Sequence, residues 1–165
     1  LRRGLYTDLD IKVMKKLLEL EKKITKLQKA GYVKTVDGGD VIFVVLREGS
    51  LQSLDFRELA QLRKSLAEEL EKPTRILEDS PDPIKFIERI ASPARVVAVN
   101  KIWLPDGSEE TRIIFDHERN LKVSPESLIR VVEEVKKMKL SIDFEKRWRR
   151  REGRSRKVSK NAQVG

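Results

Sequence analysis

The sequence predicts an α+β fold made of two consecutive copies of one αββαβ unit. Apolar residues recur every three or four positions in several separate stretches, which is the spacing of amphipathic helices. Two pairs of β-branched runs flank Gly-containing turns, the pattern of β-hairpins. The order helix, strand, strand, helix, strand then occurs twice at a period of about 65–70 residues, an internal duplication.

In the first unit, Asp8 to Lys29 places Leu9, Val13, Leu17, Leu20, Ile24 and Leu27 on one stripe and reads as a single amphipathic helix ended by Gly31. Tyr32 to Val36 and Val41 to Leu46 flank Asp37-Gly38-Gly39-Asp40, so a hairpin follows. Leu54 to Leu70 returns to helical spacing through Leu54, Leu59, Leu62, Leu66 and Leu70, with Asp55 as the cap. Thr74 to Glu78 is a short strand after Pro73.

The second unit repeats the order. Asp82-Pro83 puts a capping acid before a first-turn proline and opens a helix through Ala91, which Pro93 stops. Ala94 to Leu104 and Glu110 to Phe115 flank Pro105-Asp106-Gly107-Ser108, a second hairpin. Ser124-Pro125 caps a helix with Leu128, Val131, Val132 and Val135 on one side, and Leu140 to Phe144 closes the unit as a strand. The resulting division is 1–79 for the first domain, 80–145 for the second and 146–165 for a tail. The joint from Asp79 to Asp82 is so short that the halves are expected to pack together.

Composition excludes several classes of function. The chain has no cysteine, so disulfides, zinc ribbons and thiol nucleophiles are absent. A single histidine cannot build a His-based metal site, and no cofactor is expected. The longest apolar run, Val41 to Leu46, is far below the roughly 20 residues that span a bilayer, so no membrane partner is expected. No secretory signal pattern opens the chain, which points to the cytoplasm.

The charge is concentrated in the tail. Of 36 Lys and Arg, nine lie from Lys146 to Gly165, namely Lys146, Arg147, Arg149, Arg150, Arg151, Arg154, Arg156, Lys157 and Lys160, against the single acid Glu152. The rest of the chain holds 27 basic and 26 acidic residues and is nearly neutral. A polycation on a neutral body is an electrostatic footprint for nucleic acid, because Arg and Lys displace condensed counterions from phosphates. Those nine residues are the candidate phosphate contacts, with Trp148 as a stacking or docking residue inside the basic run.

Other residues invite chemistry less. His117 has Asp116 and Glu118 beside it, but no nucleophile or second base is placed with it. Glu68-Glu69 and Glu133-Glu134 fall on helices rich in Lys and Arg and read as solvated faces. Asp37-Gly38-Gly39-Asp40 lacks the lysine of a phosphate loop. Trp103 reads as a packing or docking residue of its strand. No active site is expected, and no small-molecule substrate.

Helix, two strands, helix, strand is also the order of the prokaryotic-type (type II) K-homology fold. The junction Glu78-Asp79-Ser80-Pro81-Asp82-Pro83-Ile84-Lys85-Phe86-Ile87, followed by Ala91-Ser92-Pro93-Ala94-Arg95-Val96-Val97, resembles the joint between paired K-homology domains of the NusA-like family, in its short archaeal branch. The likeness covers about Asp8 to Phe144. It implies two K-homology domains that contact RNA, and a role in transcription elongation or termination. The family grips single-stranded RNA with a G-x-x-G loop, where the missing Cβ lets the backbone close on four nucleotides. Here that stretch holds only Gly49 in the first unit, and Asp116 to Pro125 in the second has no glycine. The reading residues of the family therefore map onto no position of this chain.

The expectation that follows is a structural rRNA-binding protein of an archaeal ribosome, more plausibly of the large subunit. It has rRNA and neighbouring ribosomal proteins as partners, and its tail contacts phosphates. The alternative is a NusA-like transcription factor.

Overall fold

The computed structural model of the protein describes residues 6–145. It is α+β, with four α-helices and two three-stranded mixed sheets among those residues. Thr7 caps the first helix, α1 (Asp8–Glu21), through a capping box: its side chain accepts from the Asp10 N–H, while the Asp10 carboxylate accepts from the Thr7 N–H.

This helix is shorter than its periodicity predicts. It stops at Glu21 rather than Lys29, and the chain continues as a 3-10 turn over Thr25–Lys29. Ile24 leaves helical geometry (φ −115°, ψ 87°), and the bend lets Leu27 join the core of Leu20 and Ile24 while turning the chain toward the sheet. Gly31 does not end the helix. Its carbonyl accepts from the Arg47 N–H at 2.6 Å, and a Cβ there would meet the Arg47 side chain at 2.8–2.9 Å. The residue is small because two strands pass close by.

The first hairpin forms as its turn residues require. β1 (Tyr32–Asp37) and β2 (Ile42–Leu46) pair antiparallel, and the turn is closed by the Gly38 N–H donating to the Val41 carbonyl, with Gly39 at φ +99°. A capping box on Asp55 starts α2 (Phe56–Leu70) two residues later than predicted, because Asp55, as the N-cap, keeps extended backbone (φ −80°, ψ 175°). β3 (Thr74–Glu78) then returns parallel to β2, a pairing that needs a helical crossover such as α2.

The second half repeats this wiring. Asp82 caps α3 (Pro83–Ala91), and β4 (Val96–Trp103) pairs antiparallel with β5 (Glu109–Phe115). β4 is trimmed relative to the predicted Ala94 to Leu104, because the Ala94 and Leu104 N–H groups bond within the flanking turns. Ser124 caps α4 (Pro125–Lys136), and β6 (Lys139–Phe144) lies parallel to β5. The strand orders are β1-β2-β3 and β4-β5-β6, the same arrangement twice.

The layers stack as helices, sheet, helices, sheet. In β2 the side chains of Ile42, Val44 and Leu46 face one core with α1 and α2. Phe43 and Val45 face the other, with Phe86, Ile87 and Ile90 of α3 and Leu128, Val131 and Val132 of α4. That second core continues to Ile113 and Phe115 of β5 and to Leu140 and Phe144 of β6. Every residue of β2 is buried because both faces of its sheet are covered, the reason for its uninterrupted apolar run.

Polar contacts lock the halves in register. Ser127 of α4 donates to the Gly38 carbonyl at 3.0 Å and bonds the Asp40 carboxylate. Lys136 pairs with Asp79 at 2.5 Å, donates to the Ser80 carbonyl at 2.6 Å and lies 5.2 Å from the centre of the Phe86 ring. Lys34 pairs with Glu134 at 3.0 Å. The short joint and the core it spans pack the halves together, as its length predicts.

Candidate nucleic-acid interface

Lys146, Arg147, Trp148, Arg149, Arg150, Arg151, Arg154, Arg156, Lys157 and Lys160 lie outside the described residues. The fold places the residues just before them. Phe144 pairs with Phe115, so β5 and β6 end side by side. The last described residues therefore lie at the sheet end where β5 gives way to the loop starting at Asp116.

The two loops that lack the G-x-x-G pattern are each closed by an internal carboxylate. In the first, Gly49 adopts φ +87° with open space where a Cβ would stand. The N–H groups of Gly49 and Leu51 donate to the Glu78 carboxylate at 3.0 and 2.9 Å. Glu48 pairs with Arg89 at 3.1 Å, which fastens the loop to α3. In the second, Asp116 accepts from the N–H groups of Arg95 and His117 and from the Asn120 amide. Loss of water works to raise the Asp116 pKa, but these hydrogen bonds outweigh it and hold the carboxyl below its ordinary range. In each loop, donors that could reach a phosphate already serve a carboxylate, whose charge repels a second anion.

His117 is occupied structurally, its Nδ1 accepting from the Arg119 N–H at 3.0 Å. Asp37 accepts from the Gly39 N–H and pairs with Lys72 at 3.2 Å, which lowers its pKa, the Gly39 bond having the larger effect. Asp40 is likewise held low, chiefly by Ser127. The Asp37 to Asp40 segment thus serves the hairpin turn and its docking on α4. Glu134 is lowered by Lys34 across the interface between the halves. Among the described residues no group of three or more His, Cys, Asp or Glu is placed to hold a metal ion. No described helix is long and apolar enough to cross a membrane.

Two features of the described surface escape a reading for motifs. Lys12, Lys15, Lys22, Lys23, Lys26 and Lys29 are exposed along α1 and the turn after it, a basic outer face partly countered by Glu19 and Glu58. At the far end of the second sheet, Trp103 is 73% exposed and packs against no core, beside a cleft of about 500 Å³ lined by Lys101, Lys137 and Lys139. The lysine run can be counted in the sequence. The cleft cannot, because its walls come from four separate elements.

No protein-family model and no curated protein matches the sequence. Among solved structures, the crystal structure of APE1850 is similar, with a TM-score of 0.55 over 79% of this chain and 96% of that one, at 13% identity. The likeness is one of fold. It shows that this succession of helices and sheets recurs as a folded unit in a chain of very different sequence.

Proposed function

We propose that the protein is a non-catalytic RNA-binding protein, a rigid pair of type II K-homology-like domains that carries a polycationic arm into structured RNA. The division at 79/80 and the junction resemblance support the domain reading, and the duplicated sheet order is consistent with it. The observation that carries the functional reading is the separation of charge: nine Lys and Arg against one acid after Glu145, on a body of near-zero net charge. Such an arm binds by counterion release and bidentate guanidinium–phosphate contacts, independently of base sequence. A sequence-blind grip suits a partner that presents one fixed RNA surface. The ribosome is that partner in this reading, with rRNA and adjacent ribosomal proteins around a cytoplasmic, ribosome-associated chain. The carboxylate-closed loops support a fixed scaffold rather than a reader of nascent RNA.

A second reading, a NusA-like elongation or termination factor, is favoured by the Asp79 to Val97 junction resemblance. One experiment separates the two. Native lysate is sedimented before and after a high-salt wash, and the protein is located by mass spectrometry. Stoichiometric presence in one ribosomal subunit, loosened by the high-salt wash, is the expected result. Absence from both subunits together with co-migration with RNA polymerase overturns it in favour of the second reading. Truncation after Glu145 is expected to abolish association with the ribosomal subunit while the body stays folded; undiminished association of the truncated chain would move the main interface to the body.

A further inference from the structure

We propose that the cleft beside Trp103 is a second RNA contact, separate from the tail, that takes a short single-stranded segment with one base stacked on the indole. The proposal deepens the RNA-binding reading and rests on it, but on different residues.

The geometry begins with an uncovered stretch of sheet. β4 is only partly covered along its whole length, and Lys101 and Trp103, two residues apart on it, share one face and are exposed without core contacts. Trp103 pairs in register with Glu109 and Lys101 with Thr111, and antiparallel partners share a face. Pro83 at the start of α3 and Lys137, Met138 and Lys139 after α4 form the opposite wall. The result is a cleft of about 500 Å³, the size range of small-ligand sites.

Its lining is cationic, and Trp103 stands next to it through its register partner Glu109 rather than within it. Three lysines line it against one carboxylate, Glu109. Glu109 lies 3.6 Å from Lys101, whose side chain remains 70% exposed, and Lys139 donates only to the Ser108 hydroxyl at 3.3 Å. The Ser108 hydroxyl already donates to the Asp106 carboxylate at 2.5 Å, so it is the ammonium groups that keep donors for an anion. An exposed indole next to spare lysines is the combination that binds single strands, since any unstacked base offers a π-face and any backbone offers phosphates. A duplex keeps its bases stacked and presents no face to the indole. The cleft is at the hairpin end of the sheet, opposite the end that carries the second carboxylate-closed loop and the last described residues.

The chain has two tryptophans, so the full-length Trp148→Phe variant leaves Trp103 as the sole indole reporter. It is titrated with hexauridylate and hexaadenylate, with a blunt RNA duplex and with an acidic peptide. Trp103 fluorescence reports the cleft, and anisotropy of a labelled RNA reports binding anywhere. The expected result is saturable quenching by the single strands and not by the duplex. In a Lys101→Ala, Lys139→Ala background the quenching midpoint should rise about tenfold, and the salt slope should fall by about 0.7 for each lysine that contacts a phosphate. A rise in anisotropy without quenching overturns the cleft and leaves the tail as the binder. Quenching by the acidic peptide alone also overturns it, making the cleft a protein-docking site. No change in either signal with any RNA defeats the RNA-binding reading itself.

Discussion

Replacing Asp10 tests how the first half holds its strands to its helix. Asp10 is fully buried at the start of α1. One carboxylate oxygen accepts from the Thr35 N–H at 2.8 Å and from the Tyr32 hydroxyl, and the other accepts from the Thr7 N–H at 2.8 Å and the Thr7 hydroxyl at 2.9 Å. Asp10→Ala leaves the buried Thr35 N–H without its acceptor, at about 1–3 kcal/mol. It also removes half of the capping box, at about 1 kcal/mol. The Tyr32 hydroxyl retains Thr35 Oγ1 at 2.6 Å and adds little. The expected loss is therefore about 2–4 kcal/mol, a fall of about 1–2 M in the urea midpoint at a typical slope near 2 kcal/mol/M.

Asp10→Asn has one acceptor too few and should cost less than the alanine variant. Its pH dependence is the sharper test. Burial raises the Asp10 pKa, but the bonds from Tyr32, Thr7 and Thr35 outweigh it and set the net value below the ordinary 3.8. A depressed folded pKa contributes stability above the unfolded value and loses it as pH falls through the folded one. The gap between wild type and Asp10→Asn should be complete above about pH 5 and close below 3.8, as the wild-type carboxyl takes up its own proton. Urea melts at stepped pH measure it. A gap that is absent at pH 7, or that persists unchanged to pH 2.5, refutes the reasoning.

Three further outcomes follow from the packing. Phe43 is fully buried in the core that joins the halves, so Phe43→Ala should cost about 3–5 kcal/mol. Melting should remain one transition by circular dichroism and by calorimetry, and two separated transitions would show that the shared core does not couple the halves. Gly38→Ala puts a Cβ at 2.9 Å from both the Val41 carbonyl and the Phe43 ring and 3.1 Å from the Ser127 Cβ, and should cost about 1–3 kcal/mol in a thermal melt. Glu78→Ala should speed hydrogen exchange at the Gly49 and Leu51 amides while leaving strand amides of β2 protected, since it frees only the loop donors.

Most element boundaries were legible because they are local events. Asp55, Asp82 and Ser124 cap the helices they precede, since a side-chain oxygen within three residues of a free N–H acts wherever the chain goes. The two hairpins followed from turn glycines for the same reason. The break after Glu21 was not legible, because residues 8–29 keep helical apolar spacing throughout and only the need to return Leu27 to the sheet bends the chain. Gly31 looked like a helix stop and is instead a point of close approach to Arg47, the residue just after β2.

The site divides along the same line. Sequence alone determined the duplication and the concentration of cation after Glu145, since order and net charge are properties of the chain itself. It also showed that the loop glycines are missing, but not what replaced them. Glu78 reaches Gly49 and Leu51 from the end of β3, and Ser127 reaches Gly38 from the other half, separations of 29 and 89 residues that only the tertiary fold closes. The same holds for the burial of α3 and α4 between two sheets and for the grouping of Lys101 with Lys137 and Lys139 beside Trp103. Periodicity reports that a face is apolar or charged. Which face meets which is set by packing, and packing depends on contacts that no local pattern encodes.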